Sequence, residues 1–474
     1  MRILPPVTPT PEQLGILLES RAGVFVVNGA AGSGKTTTAL LRLTHLCGQW
    51  LSRKQRLQLA DPVRVLVLTY NKTLEGYIHE LAEMQVAGNA TLAAAVRSDE
   101  LRLQVSTFGK WAMDLLPLGS SPDIDACKAL LATLVGALPQ LPARFVEDEV
   151  EYVLGRFPTA DLESYLPCVR EGRGTSPRMD TPTRRQLLDQ VIYPYLAEKR
   201  RRGLRDWHDI TAAATAATDG VWDIVIIDEA QDFAANQVRT LMAHVADSHS
   251  VTFVMDAAQR IYPRSFTWRE AGVTVSASKK LERNYRNTAE IASFARSLLE
   301  GMSIGDDGTL PDFTHASSNG AKPRLLVGKY SAQLEWVLKN VVRTANLRDE
   351  SVAFLHPLGG GWFHYLKQGL RTADVPFVQL TRASSWPGGE ETVALSTIHS
   401  AKGLEFDHVI ILGLNQQVTP HGDGDGDAQL ETLRRLLAMG IGRARTSVTL
   451  GLKAGEESDL VAMLDNSTYE RVVL

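Results

Sequence analysis

The chain has 474 residues, of which 44% are hydrophobic and 22% are charged. One hydrophobic core stops growing near about 250–300 residues, so the length predicts several domains, and the composition excludes a mainly disordered, collagen-like or coiled-coil protein. A formal net charge of −4 excludes a globally basic nucleic-acid binder but leaves room for a local basic groove.

Cysteine usage and hydropathy indicate a cytoplasmic protein. The three cysteines, Cys47, Cys127 and Cys168, are too widely spaced for a zinc motif or a disulfide framework. The N-terminal segment lacks the apolar core of a signal peptide, and no stretch of about 18 uninterrupted apolar residues predicts a membrane span.

Short runs rich in Val, Ile and Leu recur along the chain and predict β-strands. They are Val24–Asn28, Arg64–Thr69, Asp223–Ile227, Val251–Met255, Arg324–Val327, Val393–Thr397, Val409–Leu414 and Val448–Leu452. Near-continuous apolar runs of this length are typical of parallel strands that are buried on both faces. Helical patterns separate the runs, so the predicted class is α/β with repeated βα units.

The segment from about Trp111 to Ala217 breaks this alternation, because it is rich in Leu and Ala and lacks clear strands. We predict that it forms an inserted helical subdomain. Near its end lies a basic cluster of Lys199, Arg200, Arg201, Arg202 and Arg205. The cluster is either a solvated helix end or a phosphate-contacting patch, and the sequence leaves both open.

The run GAAGSGKT, from Gly29 to Thr36, has the pattern of a phosphate-binding loop between a predicted strand and a predicted helix. Its glycines let backbone N–H groups turn toward phosphates, Lys35 would reach the β- and γ-phosphate oxygens, and the Thr36 hydroxyl would hold Mg²⁺. We therefore predict ATP and Mg²⁺ as ligands. The predicted nucleotide contacts here are Gly29, Ala30, Ala31, Gly32, Ser33, Gly34, Lys35, Thr36 and Thr37.

A second strand, in the run DIVIIDEAQD from Asp223 to Asp232, ends in two adjacent carboxylates. Asp228 stands where an acid at a strand end can hold Mg²⁺ through water. Glu229 follows it and can orient or deprotonate an attacking water, which phosphoryl transfer requires. A P-loop enzyme that acts on small molecules could use Lys35 and Asp228 equally well, but it has no use for the motifs that follow.

These motifs and the later ones resemble, in the same order, those of the UvrD/Rep-type superfamily 1 helicases. The resemblance extends from about Pro11 to about Gly451. It implies two RecA-like P-loop NTPase domains, each a parallel sheet flanked by helices, with an inserted α-helical subdomain. Members of that family are ATP-driven 3′→5′ translocases on single-stranded DNA.

The resemblance also implies roles for side chains around the nucleotide. Gln13 would read adenine, and Gln259, in DAAQRIY, would sense the γ-phosphate. In LERNYRNT, Tyr285 would stack on adenine and Arg286 would contact the γ-phosphate. If Arg286 belongs to a second core domain, ATP would close the cleft between the domains and hydrolysis would release it.

Two later motifs complete the predicted nucleotide site. Glu405, in STIHSAKGLEF, would bind the ribose, and Arg443, in LLAMGIGRAR, would act as a second arginine finger. Such fingers are worth on the order of 10³–10⁵ in rate, because guanidinium groups stabilise the charge that spreads over the transferred phosphoryl group. Gly440 and Gly442 depart from the family pattern, and we expect this helix to bend or to end early.

The resemblance places nucleic-acid contacts in LTYNKTL, STFGKWA, DAAQRIY and STIHSAKGLEF. The predicted contacts are Tyr70, Asn71, Thr107, Phe108, Tyr262 and His399. Aromatic rings stack on bases without reading sequence, and hydroxyl and amide groups hold phosphates. Each ring could instead be core, Phe108 and Trp111 more so than Tyr262. Lys402 lies beside His399 where the family couples ATP to the strand.

Spacing predicts a compact member of the family. From Arg286 to Thr397 there are 111 residues, which leaves no room for the large fourth subdomain of full-length relatives, and the 29 residues after Arg445 leave none for a fused nuclease. We predict a first core at 1–110 and 218–280, the helical insertion at 111–217, and a second core at 281–474. The position two residues after Tyr262, usually Trp in the family, is Arg264.

The sequence thus predicts an ATP-dependent single-stranded DNA translocase, acting as a 3′→5′ DNA helicase, and leaves RNA open as the track. The alternative is a DNA-stimulated ATPase that serves as a sensor or regulatory motor subunit beside a nuclease, in repair or phage defence. The missing fourth subdomain and the altered arginine-finger motif motivate that alternative.

Overall fold

The computed structural model describes residues 9–29, 32–170, 177–217, 221–256, 266–281, 286–302, 318–381, 386–389, 391–422 and 427–474. Ala30, Ala31, Gln259, Tyr262 and Tyr285 were predicted as site residues and lie outside this part of the chain. Among the described residues, no helix combines the length and the hydropathy that crossing a membrane requires.

Two parallel sheets organise the protein. The strands of the first are β1 (Gly23–Gly29), β2 (Val63–Thr69), β3 (Leu101–Thr107), β4 (Trp222–Ile227), β5 (Val245–Met255) and β6 (Val275–Leu281). The strands of the second are β7 (Arg324–Val327), β8 (Val352–His356), β9 (Phe377–Gln379), β10 (Val393–Thr397), β11 (Phe406–Ile411), β12 (Ala444–Leu452) and β13 (Glu470–Val473). Their orders are β3-β2-β4-β5-β1-β6 and β13-β7-β12-β11-β8-β10-β9.

Helices cover the sheets and fill the segment between β3 and β4. The helices before β4 are α1 (Pro11–Leu17), α2 (Lys35–Arg56), α3 (Lys72–Ala87), α4 (Ala90–Arg97), α5 (Phe108–Asp114), α6 (Ile124–Leu134), α7 (Ala143–Arg156), α8 (Thr181–Leu187), α9 (Tyr193–Arg202) and α10 (Trp207–Thr215). Those after β4 are α11 (Ala235–Met242), α12 (Ala289–Ser297), α13 (Tyr330–Val337), α14 (Phe363–Thr372), α15 (Ala428–Ile441) and α16 (Asp459–Ala462). The two parallel sheets flanked by helices confirm the predicted α/β class with RecA-like domains.

Five strands escaped the sequence prediction, and most of them for one reason. β3, β6, β9 and β13 lie at sheet edges, where one side of the strand has no neighbour. An edge strand tolerates polar residues, as in VSASKKL of β6, so it lacks the continuous apolar run that marks a central strand. β8 is buried throughout, but an apolar run of five residues cannot be told from part of a buried helix.

The segment between α5 and α10 has its own buried cluster, which includes Val146, Leu187 and Ile192. Among its described residues it contains helical turns and no strand. Much of its basic end is paired, because Lys199 is buried between Asp206 (2.5 Å) and Asp209 (2.6 Å), and Arg201 and Arg202 form exposed ion pairs with Glu198. This pairing favours the structural interpretation of the basic cluster over a phosphate-contacting patch.

Phe108 lies in the core beneath the first sheet, and this placement contradicts a stacking role for the ring as it lies here. Its side chain is 2% exposed and packs against Trp111 and Phe233, with ring centroids 5.6 and 5.9 Å away. The turn from β3 into α5 points the ring inward, because Thr107 caps the helix and Phe108 begins it. The core interpretation that the sequence left open for Phe108 and Trp111 is therefore the one observed.

We predict that Phe108→Ala lowers the free energy of unfolding by about 3–5 kcal/mol, because it leaves a cavity in a packed core. Urea denaturation followed by circular dichroism measures the loss. Leu118→Ala, at a fully exposed side chain close to α5, is the control and should change stability by less than about 0.5 kcal/mol. A variant with unchanged stability and lost single-strand affinity would restore the stacking role.

His356, at the end of β8, makes the second core sensitive to acid. Burial lowers the pKa of His356 to about 4, and its Nδ1 accepts hydrogen bonds from the backbone N–H groups of Leu358 (3.1 Å) and Gly359 (2.9 Å). The unfolded chain takes up the proton near the ordinary pKa of about 6.5. The stabilisation is therefore complete above that value and is lost as the pH falls toward 4.

From pH 7 to pH 5 we expect His356 to account for a loss of about 2 kcal/mol in unfolding free energy. His356→Asn keeps an acceptor oxygen and does not titrate, so its urea denaturation should depend less steeply on pH. His364→Asn, at an exposed histidine of α14, is the control and should leave the slope as it is. Equal slopes in all three proteins would contradict this assignment.

Candidate nucleotide site

The loop between β1 and α2 has the backbone that a phosphate cradle needs. Gly32 and Gly34 adopt left-handed conformations, with φ of 77° and 75°, and Gly34 caps α2. A Cβ atom at Gly29 would lie 2.6 Å from both Ser33 Oγ and Lys35 Cγ, so only glycine fits there. The predicted glycines therefore lie where the backbone is left-handed or where a Cβ atom would clash with a neighbour.

Two polar side chains of this loop, Lys35 and Ser33, lie where the sequence predicts the phosphates. Lys35 donates to the carbonyl of Gly29 (2.9 Å) and to Asp256 Oδ2 (3.1 Å), at the end of β5. The Ser33 hydroxyl is fully buried and has no hydrogen-bond partner among the described residues. An orphaned buried hydroxyl costs free energy unless a ligand satisfies it, and a phosphate oxygen is a suitable acceptor.

Thr36 and Asp228 lie together where the sequence predicts Mg²⁺. The Thr36 hydroxyl donates to Asp228 Oδ2 (2.8 Å), and Asp228 follows β4 directly. Burial, reinforced by the neighbouring charge of Glu229, raises the pKa of Asp228 to about 7. Hard oxygen donors of this kind fit Mg²⁺, which would neutralise charge on the phosphate oxygens when bound.

The described residues contain no cluster of three or more His, Cys, Asp or Glu side chains that could hold a metal ion. Mg²⁺ keeps several waters and takes one or two protein ligands together with substrate phosphates. The Thr36–Asp228 pair thus fits a nucleotide-bound cation rather than a cage made by the protein alone.

Glu229 has the geometry of a strained and charged functional group. Its backbone lies in the left-handed region, with φ of 52°, which is costly for a residue other than glycine. Gln231 Nε2 donates to its Oε2 (2.5 Å), and Lys402 Nζ lies 3.6 Å from the same oxygen. Burial acts to raise the pKa of Glu229, but the positive charges of Lys402, Arg443 and Lys35 outweigh it and lower the pKa. The carboxylate is therefore ionised, as a general base must be.

The second half of the chain supplies two arginines and a glutamate to the same place. Arg286 forms an ion pair with Glu405, and its Nη1 donates to the carbonyl of Gly442 (3.4 Å). Arg443 is 2% exposed and donates to the carbonyls of Met439 (3.2 Å) and Leu404 (3.4 Å). Burial, with Arg286 as a neighbouring charge, lowers the pKa of Arg443 to about 10, so it stays charged at neutral pH.

One cavity of about 450 Å³ joins the two halves. Of the predicted site residues, its wall contains Gln13, Gly32, Gly34, Lys35, Thr36, Thr37, Glu229, Arg286, Glu405 and Arg443. The side chain of Gln13 lies close to Gly34, at the start of α2. Residues 430 positions apart in the chain thus converge on one cleft between the sheets.

Helix α15, which precedes Arg443, ends just before the second glycine of the Gly440 and Gly442 pair. Helix α15 ends at Ile441, and Gly442 is its C-terminal cap. Gly440 lies against Ile398, because a Cβ atom there would be only 3.0 Å from Ile398 Cγ2. The small residue lets the helix approach the loop after β10, and the helix end at Ile441 places Arg443 directly before β12.

The residues predicted to bind nucleic acid make contacts within the protein in this structure. Asn71 caps α3 and donates to the carbonyls of His399 (2.9 Å) and Ser400 (3.3 Å). Tyr70 is partly buried, with its ring edge against Phe233. Burial and the charge of Lys402 lower the pKa of His399 to about 4, so its ring is neutral. A nucleic-acid role for Tyr70, Asn71, Thr107 and His399 stays a prediction.

Sequence reasoning overlooked three polar residues of the site. Asp232 accepts from Lys402 (2.7 Å), Gln231 accepts from the backbone N–H of Asp256 (2.9 Å), and Asp256 itself pairs with Lys35. The signal was present, since Gln231 and Asp232 close DEAQD and Asp256 opens DAAQRIY. Only the fold shows that the ends of β4 and β5 are neighbours.

Family comparisons agree with this arrangement. A family model described as "AAA domain" matches residues 13–264, and one described as "UvrD-like helicase C-terminal domain" matches residues 376–453. ATP-dependent DNA helicase UvrD2 of Mycobacterium tuberculosis is 24% identical over 403 residues, which cover 61% of this chain and 57% of the relative. ATP-dependent DNA helicase PcrA of Bacillus subtilis is 40% identical over 73 residues, covering 15% of this chain and 10% of the relative.

The C-terminal domain of a possible DNA helicase from Lactobacillus plantarum has a TM-score of 0.30 to this chain, with 22% sequence identity over 40% of this chain and 98% of that one. The matched segments cover little more than half of the length of UvrD2 and a tenth of that of PcrA. The first family model alone covers more than half of the 474 residues. With residues 376–453 matched by the UvrD-like C-terminal model, the chain belongs to the UvrD-like superfamily 1 helicase family.

Proposed function

We propose that the chain is an ATP-dependent translocase on single-stranded DNA that unwinds duplexes in the 3′→5′ direction. The observation that carries the proposal is the shared cavity, in which Lys35, Thr36 and Glu229 come from the first half of the chain and Arg286 and Arg443 from the second. A nucleotide bound there would contact both halves, so its hydrolysis would alter the fit between them.

The charges in the cavity match the demands of phosphoryl transfer. Lys35, Arg286 and Arg443 are three cations around the expected position of the triphosphate, and transition-state charge spreads over its equatorial oxygens. Glu229 is the ionised carboxylate among them, held by Gln231 and near Lys402. The proposed roles are phosphate binding for Lys35, Mg²⁺ binding for Thr36 and Asp228, water activation for Glu229, and charge stabilisation for the arginines.

Coupling to a nucleic-acid strand is proposed for the loop after β10. This loop contains His399, whose carbonyl accepts from Asn71, and Lys402, which pairs with Asp232 and approaches Glu229. The same short loop therefore contacts the predicted nucleic-acid edge of the first core and its catalytic carboxylates. A bound nucleic-acid strand that moves this loop would change the surroundings of Glu229. This connection supports the proposal that single-stranded DNA stimulates ATP hydrolysis.

We predict that Glu229→Gln binds ATP but hydrolyses it about 10²–10⁴-fold more slowly, because the amide cannot take a proton from water. Steady-state ATPase with and without single-stranded DNA measures turnover, and calorimetric titration measures nucleotide affinity. Lys35→Ala should lose affinity and turnover together.

The matched control is Glu335→Gln, at an exposed glutamate of α13 that lies outside the cavity, and it should keep wild-type turnover. Near-normal turnover in Glu229→Gln would remove Glu229 as the catalytic carboxylate. A wild-type ATPase that neither DNA nor RNA stimulates, with Lys35→Ala behaving like the wild type, would overturn the proposed function.

A second candidate function is a DNA-stimulated regulatory ATPase that acts beside a partner such as a nuclease. The specific observation in its favour is the connection between β9 and β10, which runs only from Leu380 to Thr392. The chain therefore has no room at this point for a large accessory subdomain, and unwinding by the isolated chain would depend on the two cores and the helical segment alone.

A strand-displacement assay separates the two candidates. We predict that the isolated chain unwinds a DNA duplex with a 3′ single-stranded tail and leaves one with a 5′ tail intact, with Lys35→Ala as the inactive control. The same duplexes made with RNA tails test the nature of the track. Strong ATPase stimulation without displacement of any duplex would contradict the helicase and support the regulatory motor.

A further inference from the structure

An aromatic pair joins the two cores at the wall of the nucleotide cavity. Tyr77 lies on α3, in the layer of the first sheet, and Trp386 lies between β9 and β10 of the second. Their ring centroids are 4.9 Å apart and the rings are tilted by 57°. Tyr77 is 9% exposed, Trp386 is half-buried, and both line the cavity together with Lys35 and Arg443.

The pair belongs to a longer line of contacts along the first half of α3. Thr73 Oγ1 donates to the carbonyl of Leu380 (2.9 Å), six residues before Trp386. Gly403 adopts φ of 80°, and a Cβ atom there would lie 2.6 Å from the Leu74 side chain. Helix α3 therefore contacts the second core on both sides of β10, and Gly403 leads directly to Leu404 and Glu405 in the cavity.

The aromatic pair differs from its neighbours on this line. The contacts of Asn71 and Thr73 are hydrogen bonds to backbone carbonyls, which hold a narrow range of distances. Tyr77 and Trp386 contact each other through their ring faces and edges, and such pairs tolerate a range of separations. Their attraction therefore weakens gradually as the cleft widens, so the contact favours the closed cleft.

The position of the pair gives this bias a catalytic consequence. Lys35 and Glu229 belong to the first core, and Arg286 and Arg443 to the second, so the width of the cleft sets the distance between them. A misplacement of about 1 Å can cost on the order of 10²-fold in rate. A contact that fixes the width of the cleft therefore places these groups at the right distance before the nucleotide binds.

We propose that Tyr77 and Trp386 form an aromatic clasp that holds the two cores together around the nucleotide and so sets the affinity of the site for it. The proposal rests on the proposed ATPase function and adds two positioning residues to it. Neither ring takes part in the chemical step. Without the clasp, a bound nucleotide must itself supply the free energy of closing the cleft. Its apparent affinity then falls in proportion to the fraction of molecules whose cleft is closed before binding.

The test is the effect of Trp386→Ala on the KM and kcat of ATP hydrolysis at saturating single-stranded DNA. An aromatic pair of this kind contributes about twofold to tenfold in an equilibrium constant, so KM should rise by about that factor. The kcat should stay within about twofold, because saturating ATP closes the cleft in either protein. Trp386→Phe and Tyr77→Phe keep a ring pair and should restore KM, whereas Tyr77→Leu should raise it.

The matched control is Trp336→Ala, which removes another half-buried tryptophan of the second core, beside Arg324 and outside the cavity. It should leave KM unchanged. A purely structural role for Trp386 predicts a lower kcat at constant KM, because less of the protein would be folded. That result, or a wild-type KM in Trp386→Ala, overturns the clasp while leaving the ATPase in place.

Calorimetric titration with ADP separates failure of the clasp from failure of the proposed function. If the wild type binds ADP but hydrolyses no ATP, the proposed function fails, and a twofold to tenfold weaker ADP affinity in Trp386→Ala still supports the clasp. If ADP binds equally to the wild type and Trp386→Ala, the clasp is overturned. A wild-type chain that binds no ADP overturns both.

Discussion

The arrangement of the two cores depends on the buried ion pairs that the ammonium group of Lys402 forms with two carboxylates. Lys402 belongs to the loop after β10 in the second core, it is 2% exposed, and its partners Asp232 and Glu229 belong to the first. A charge buried without a partner is very unfavourable, and removing one partner of such a pair typically costs about 3–5 kcal/mol. The cores therefore cannot separate at this point unless water or a ligand replaces the carboxylates. Their relative position is thus tied to the charges of the proposed ATPase site.

The same constraint gives the two adjacent carboxylates opposite properties. Asp228 faces the Thr36 hydroxyl, and burial raises its pKa. Glu229 faces Lys402 and Arg443, and their positive charges lower its pKa. Neighbouring acids whose environments move their pKa values apart can take different roles. Here one carboxylate suits a divalent cation and the other suits an attacking water. The division arises because only Glu229 meets the cations contributed by the second core.

How far the sequence predicts this structure depends on the length scale. The glycine-rich loop after β1, the carboxylates after β4 and the end of α15 before Gly442 follow from local patterns, because glycines, strand-end acids and apolar runs act within a few residues. The contact of Asn71 with His399, more than 300 positions away, follows from no such pattern. A polar residue after a strand reads equally well as a ligand contact or as a helix cap. Phe108 shows the same limit, since the direction of its ring depends on how the chain turns from β3 into α5.

Helix α3 connects the places where the two proposed ligands bind. It begins directly after Tyr70 and Asn71, at the end of β2, where the resemblance places nucleic acid, and Tyr77 lies on its second turn at the nucleotide cavity. Six residues of helix span about 9 Å and move as a rigid unit. A nucleic-acid strand that displaces Asn71 from the carbonyl of His399 would therefore shift Tyr77 relative to Trp386. It would also loosen the loop that contains Lys402. In the proposed motor, one short helix thus relates occupancy of the track to the width of the cleft, and no separate subdomain is needed for that step.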